Sequence, residues 1–252
     1  MDENKIFKAP CEIYDPLDPY PNIGHIRDPI RRNEIVSLAS SNPFITDQIR
    51  LYESKGLRRL QGKAQVFTNP ENSHIRNREK HTNEVLSISM LISELLGLNN
   101  ELCRAIALGH DIGHPPYGHL GEEMLTELGG MEFNHAVFGV VLCQYFERYG
   151  NGLNLTRETL EGILRHSTGN EKFGYRDIDE YTVVRCSDKI AYIFSDLNDV
   201  ERLPIQRRIE NFEEIQKYAD LLGKNQAERV VKVVGGSYDR KLRKRICQFR
   251  RF

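Results

Sequence analysis

From about residue 79 onward, apolar positions recur at the spacing of a helix face. Val85, Ile88, Ile92 and Leu95 lie three and four residues apart, with His81 one turn earlier on the same stripe. After GLNN, Asn100 suits an N-cap ahead of Glu101, and the next helix carries Cys103, Ile106, Ala107 and His110 on one face. DIGHPPYGHLG must end that helix, because Gly113, Pro115, Pro116 and Gly118 do not continue it, and His119 is expected on a loop beyond the break. A further helix is predicted near Asn134, with Val137, Val140, Val141 and Phe146 as its apolar side. GNGLN breaks it, and another runs from Thr156 to His166. The longest periodic segment covers Ile178 to Val200. Val183, Ile190, Phe194 and Leu197 form its apolar side, and Asp188, Tyr192 and Asp196 line a second stripe at i, i+4 and i+8. Residues 32–60 also read as helical. No long alternating strand and no internal repeat competes, so the fold class is all-α.

Five of the ten prolines fall within the first 29 residues, which predicts an irregular Pro-rich arm over 1–30 ahead of a single helical domain over 31–252. Lys and Arg number 35 against 36 Asp and Glu, so the formal charge of −1 gives no overall pull toward nucleic acid or an anionic membrane. No apolar run is long enough to span a bilayer, and the N-terminus lacks the apolar stretch of a secretory signal. Five scattered cysteines (Cys11, Cys103, Cys143, Cys186, Cys247) form neither a CxxC pair nor a disulfide framework, which points to a reducing, cytoplasmic setting. RKLRKRICQFRR, residues 240–251, carries seven basic residues and no acid. It reads first as a solvated basic helix end, with nucleic acid or an effector phosphate as the alternative.

Six of the eight histidines lie between His74 and His135, around predicted helix ends and the Gly/Pro loop. A single histidine on a helix face is ordinarily a hydrogen-bonded core residue. Several beside Asp111 at a helix end make a mixed nitrogen and oxygen set of the kind that holds Mn, Fe, Co, Ni or Zn, whereas Mg prefers more oxygen and water.

Three segments, HTNEV from His81, GHDIGHPPYGHLGEE from Gly109 and RCSDKIAYIFSD from Arg185, resemble the HD-domain phosphohydrolases. RRLQGKAQVF (residues 58–67) and TLEGILRHSTG (159–169) narrow the resemblance to the deoxynucleoside triphosphate triphosphohydrolase, or dGTP triphosphohydrolase-like, branch. The resemblance covers roughly residues 45 to 200 and implies the HD-type helical metallohydrolase fold. Its metal set carries over onto His81, His110, Asp111 and Asp188, for one divalent ion, with Mn or Mg the usual choice in assays. It makes His119 the catalytic acid or base, Glu122 the residue orienting it, and His135 an assisting histidine. Arg78, His114, Lys189 and Tyr192 would contact the phosphates, while Gln65 and Asp196 would sense the sugar 3′-hydroxyl. Taken alone, Asp188 reads as a solvated helix-face acid and Glu122 as a first-turn acid favoured by the helix dipole.

The activity implied is metal-dependent cleavage of a dNTP, with dGTP the namesake, to deoxynucleoside and inorganic triphosphate. The alternatives are another HD phosphohydrolase, acting on nucleoside monophosphates, (p)ppGpp or cyclic dinucleotides, or a non-catalytic nucleotide-sensing subunit. The resemblance further implies a homo-oligomer and a possible nucleotide effector, with no membrane partner. Thr82, Asn83, Ala64 and Tyr117 depart mildly from the family's usual residues. Relatives usually continue well past the equivalent of residues 222–242, whereas this sequence stops at Phe252, and the resemblance implies that the helices relatives carry there include phosphate- or base-contacting residues and part of the oligomer interface.

Overall fold

The computed structural model describes residues 42–66, 74–167, 178–201, 216–217, 220–221 and 223–235. The Pro-rich arm and the basic stretch at 240–251 lie outside them. Among the described residues the chain is helical, with one isolated bridge, Ala64 to Asn77, as its only β feature. The fold class is the all-α one expected. Internal contacts group the chain into two compact units, Met1–Lys189 and Ile190–Phe252, where the sequence reading drew 31–252 as one.

The first unit is built around a helix buried on nearly all sides. Helices α1 (Pro43–Glu53) and α2 (Lys55–Arg59) are followed by α3 (Arg78–Leu96) and α4 (Asn100–Gly109). Then come α5 (Gly118–Gly129), α6 (His135–Val141), α7 (Arg157–Arg165) and α8 (Asp179–Glu201). α4 packs against α1, α3 and α7, and α7 also packs on α6. Leu102, Cys103 and the run Ala105 to His110 are all buried. α7 can approach α4 closely because both helices present glycine at the crossing. A Cβ on Gly109 would stand 2.4 Å from Ile163 Cδ1, and one on Gly162 would stand 2.4 Å from Ile106 Cδ1. Beside this crossing lies an apolar core of Leu51, Leu57, Leu60, Leu108, Ile112, Leu142, Cys143, Leu153, Leu155 and Ile163.

Polar groups tie helix ends to this core. Asp47 on α1 accepts from Thr156 N (3.0 Å) and from the hydroxyls of Thr156 and Thr159 (2.5 and 2.8 Å) at the start of α7. Glu147 accepts from the amides of Lys55 and Gly56 at the start of α2. Glu180 accepts from Asn99 N at 3.0 Å and so fastens the start of α8 to the start of α4. These bonds satisfy amides that a helix leaves without internal partners.

Several local expectations change. Ser54 divides 43–59 into α1 and α2, its hydroxyl accepting from Leu57 N. The cap of α4 is Asn99, whose side chain accepts from Leu102 N, one residue before the Asn100 expected. Leu95, Val137 and Phe146 are exposed, and the buried side of α6 is instead His135, Ala136 and Gly139. Val137 and Phe146 are thus turned away from the core while Val140 packs against it, and small residues allow the close contact on the buried side. His119 does not lie on a loop: it is the second residue of α5, since the break at 113–117 is short enough for a helix to restart at Gly118.

In the second unit, Arg229 on α9 (Gln226–Gly235) donates from Nε to the Gly223 carbonyl at 2.9 Å. Its guanidinium lies 5.2 Å from the Phe194 ring centroid.

Glu158, in the first turn of α7, is 1% exposed, and burial pushes its carboxyl up to about 7, with Asp47 and Glu161 adding to the shift and Arg157 opposing it. A carboxyl raised in this way stabilises the fold most below its unfolded value, and that contribution is lost as pH rises toward 7, a difference of about 3 kcal/mol at most. Glu158→Gln is therefore expected to raise the melting temperature by several degrees at pH 8 and to change it little at pH 5, as followed by circular dichroism.

Candidate active site

Several of the predicted site residues, Arg78, His81, His110, Asp111, His119 and His135, fall at or near helix ends, while Asp188 lies mid-way along α8. Asn77 caps α3 by accepting from Lys80 N, which places Arg78 and His81 on its buried side. His110 and Asp111 follow the last turn of α4. A Cβ on Gly113 would stand 2.1 Å from the His135 carbonyl oxygen and 2.3 Å from Gly139 N. Only glycine permits that contact, which brings the start of α6, and with it His135, against the His110–His114 turn. Tyr117 (φ 67°) and Gly118 (φ 58°) then take left-handed conformations, and α5 begins with His119 facing outward. The strain of a left-handed tyrosine is thus located beside the site.

His81, His110 and Asp188 each offer a ligand atom, all within 4.8 Å of one another. His81 Nε2 lies 2.9 Å from Asp188 Oδ1, and His110 Nε2 lies 3.9 Å from the same oxygen and 3.4 Å from Asp111 Oδ1. His110 Nδ1 faces the Ala107 carbonyl at 2.8 Å. A carbonyl only accepts, so the proton sits on Nδ1 and Nε2 keeps its lone pair. That Nε2 is buried without a hydrogen-bond partner. A buried, unpartnered imidazole nitrogen aimed at two carboxylates fits a divalent transition ion. Burial alone would raise the carboxyls of Asp111 and Asp188. The groups around them outweigh it, the neighbouring His110 and Arg78 for Asp111 and the His81 hydrogen bond for Asp188, and both are held below the usual range.

Asp111 Oδ2 accepts from Arg78 Nη1 at 2.6 Å, and Arg78 Nη2 is 3.5 Å from the Gln65 carbonyl oxygen. Arg78 is thus buried against Asp111. His114 Nε2 is 3.4 Å from Asp111 Oδ1, and its ring stacks on His135 with centroids 3.8 Å apart. Burial pushes His114 down to about 2, so it is a neutral imidazole.

Glu122 joins two histidines. Its Oε2 meets His119 Nδ1 at 2.6 Å, and its Oε1 meets both the amide and Nδ1 of His135 at 2.7 Å. Burial opposes ionisation of Glu122, but these bonds overcome it and hold the carboxyl well below its ordinary range. The same bond raises His119 above the usual imidazole value against a smaller opposing effect of burial. The His119 side chain is 77% exposed while that of Glu122 is 13% exposed, so a largely covered carboxylate backs an imidazole open to solvent.

Lys189, next to Asp188 on α8, is exposed. Tyr192 and Asp196 stand further along α8 in the second unit; Tyr192 is exposed, and the Asp196 side chain lies outside the described residues. Gln65 lies beside Arg78, in a segment pinned to the start of α3 by the bond from Arg78 N to the Lys63 carbonyl.

Two residues of the cluster were not singled out from sequence. His166 ends α7 and places its Nε2 3.1 Å from His135 Nε2. The signal was present in LRHSTG, but His166 lies 31 residues beyond the other histidines. Lys63 donates to the His114 carbonyl at 2.5 Å, and burial together with Arg78 lowers its pKa.

A model of the HD domain family matches residues 78–221, more than half of the chain. The chain belongs to the HD-domain family. It is 47% identical over 159 residues to a deoxyguanosinetriphosphate triphosphohydrolase-like protein of Caldanaerobacter subterraneus subsp. tengcongensis, covering 63% of this chain and 46% of that protein. Proteins of the same name from Clostridium tetani (40% over 192 residues, 74% and 53%) and Wolinella succinogenes (38% over 210 residues, 75% and 57%) are also similar. This HD-domain chain spans about half the length of the curated relatives it matches. Among its described residues, no helix is long and apolar enough to cross a membrane.

The purified protein is expected to carry a divalent transition ion, and His81→Ala or Asp188→Ala to lose most of it. Elemental analysis of the variants against wild type measures this.

Proposed function

We propose that this chain is a metal-dependent phosphohydrolase that cleaves a deoxynucleoside triphosphate to deoxynucleoside and inorganic triphosphate. The observation that carries the reading is the exposed His119, held by the largely covered Glu122, beside a His/Asp cluster fit for a metal ion. The similarity to proteins named for dGTP triphosphohydrolase supports the choice of substrate class.

His81, His110, Asp111 and Asp188 would hold a divalent ion, which would polarise a phosphoryl oxygen and make a water more acidic. The remaining work belongs to the chain. Glu122 fixes the His119 Nδ1 proton, which leaves Nε2 to face the substrate. The bond to Glu122 raises the His119 pKa and so favours its protonated form, which suits it to act as general acid. As the bond between the α-phosphorus and the 5′-oxygen breaks and the water oxygen joins phosphorus, His119 gives its proton to the departing 5′-oxygen. The proton lost by the attacking water passes to solvent, and His119 is reprotonated from there. Lys63, Arg78 and Lys189 bring positive charge toward the triphosphate, where charge grows in the transition state. Arg78 also holds Asp111 in place, so its contribution is partly structural. Gln65, Tyr192 and Asp196 remain the positions assigned to phosphate and sugar recognition. Mn²⁺ or Mg²⁺ is the cofactor proposed for assays, and a homo-oligomer the assembly.

Incubation with each dNTP and Mn²⁺ or Mg²⁺ is expected to release intact triphosphate and deoxynucleoside, resolved by anion-exchange chromatography. Orthophosphate alone, or monophosphate with pyrophosphate, would place the chain with other HD phosphohydrolases. Ribonucleotides are expected to turn over more slowly.

His119→Ala is expected to fold, keep its metal and lose about 10²- to 10⁴-fold in turnover. A general acid must be protonated, so activity declines as pH rises through the raised His119 pKa. Glu122→Gln removes the charge that raises it and should move this alkaline limb of kcat to lower pH, with a smaller loss of rate than His119→Ala.

A further inference from the structure

We propose that the outward face of α5, continued over Phe133 onto α6, is a docking surface for a basic amphipathic helix of another protein. The inference stands on this face alone and is independent of the proposed dNTP hydrolysis.

A surface helix ordinarily turns its apolar stripe to the core. α5 does the reverse. Of its 12 residues only Gly118 and Gly121 are buried, and they hold it down through backbone contact, since a Cβ on Gly121 would collide with the Pro116 carbonyl. Leu120, Met124 and Leu128, four residues apart, form a stripe that faces solvent, and Leu128 is 82% exposed. Met131, just past the helix end, is 79% exposed. Phe133 N donates to Thr126 Oγ1 at 2.9 Å, which turns the chain back toward α5. Ring centroids 5.4 Å apart join Phe133 to Phe138 on α6, and Phe138 lies 6.3 Å from Phe146. Phe138 and Phe146 are exposed as well. Large apolar side chains gathered in the open in this way mark an interaction surface, and the two methionines let it adapt to the side chains laid on it.

Charge selects the partner. The sequence has 35 Lys and Arg, yet none falls in residues 118–147, which carry five glutamates. Glu122 is engaged by His119 and His135, and Glu147 by the amides of Lys55 and Gly56. Glu123, Glu127 and Glu132 are exposed. Glu123 and Glu127 lie one turn apart, each one residue before a member of the stripe, and so form an acidic rim along one edge of it. An apolar stripe with an acidic rim complements a helix that carries Leu or Phe on one face and Lys or Arg beside it. The apolar side chains bury against the stripe while the cations meet the rim. A second copy of this chain would bring its own glutamates against these, and an anionic membrane would be repelled.

The test uses the full chain and two fluorescein-labelled helical peptides with the same leucine pattern, one with Lys and one with Glu at its polar positions. Fluorescence anisotropy is expected to show saturable binding of the Leu/Lys peptide and none of the Leu/Glu peptide at the same concentrations. Leu128→Gln combined with Met131→Gln is expected to weaken binding about tenfold or more, the scale on which central apolar anchors are felt. Glu123→Lys combined with Glu127→Lys is expected to weaken it as well. All four side chains are exposed, so both double variants should keep the wild-type melting temperature, checked by circular dichroism. Should one of them not fold, the other decides. No saturable binding of the Leu/Lys peptide overturns the proposal. Equal binding of both peptides overturns it too, as does binding that the Leu128→Gln, Met131→Gln change leaves intact. In sedimentation equilibrium, a wild-type oligomer that the same change dissociates would assign the face to a second copy and overturn the basic partner.

Discussion

The contact on which the site depends is between backbones, at Gly113. With the α-carbon of residue 113 against the His135 carbonyl and the Gly139 amide, the turn that follows α4 and the first turn of α6 cannot separate without a gap in a packed interior. His110, Asp111 and His114 come from one side of this contact and His135 from the other. A second pair of glycines, Gly109 and Gly162, sets α7 equally close to α4, so that His166 arrives at the same place from a third direction. His110, Asp111, His114, His135 and His166 therefore stand at helix ends brought close by the absence of side chains at these glycines.

Within that frame, the interior partners decide what each imidazole is. Ala107, Ile163 and Glu122 take the Nδ1 protons of His110, His166 and His135, which turns the remaining nitrogens into inward-facing bases. His119 differs because it is open to solvent and shares its carboxylate with His135. One carboxylate, Glu122, thus raises the proton affinity of an exposed histidine and fixes the orientation of a buried one. Arg78 has a comparable double position. It neutralises Asp111 while lying under Gly118, where a Cβ would stand 2.8 Å from its Nη2. Substitution at Gly118 would therefore disturb the cation that orients Asp111 before it disturbed any ligand.

The periodicity of residues 79–109 and 178–200 determined the helices, and the Gly/Pro run determined where α4 must stop, because these are local properties of the backbone. The motifs around His81, His110, Asp188 and His119 determined which side chains to watch and pointed to the HD family. Sequence alone misjudged faces and small boundaries. Val137 and Phe146 looked like core but are exposed, the cap of α4 is Asn99, and His119 begins a helix. Which side of α6 is buried depends on where glycine lets a neighbour approach, and that neighbour is distant along the chain. Only the tertiary structure decided that Arg78 is spent on Asp111, that Glu122 serves two histidines, and that His166 meets His135. Each of these is a contact between helix ends many residues apart, set by how α4, α6 and α7 pack, and no local spacing encodes it.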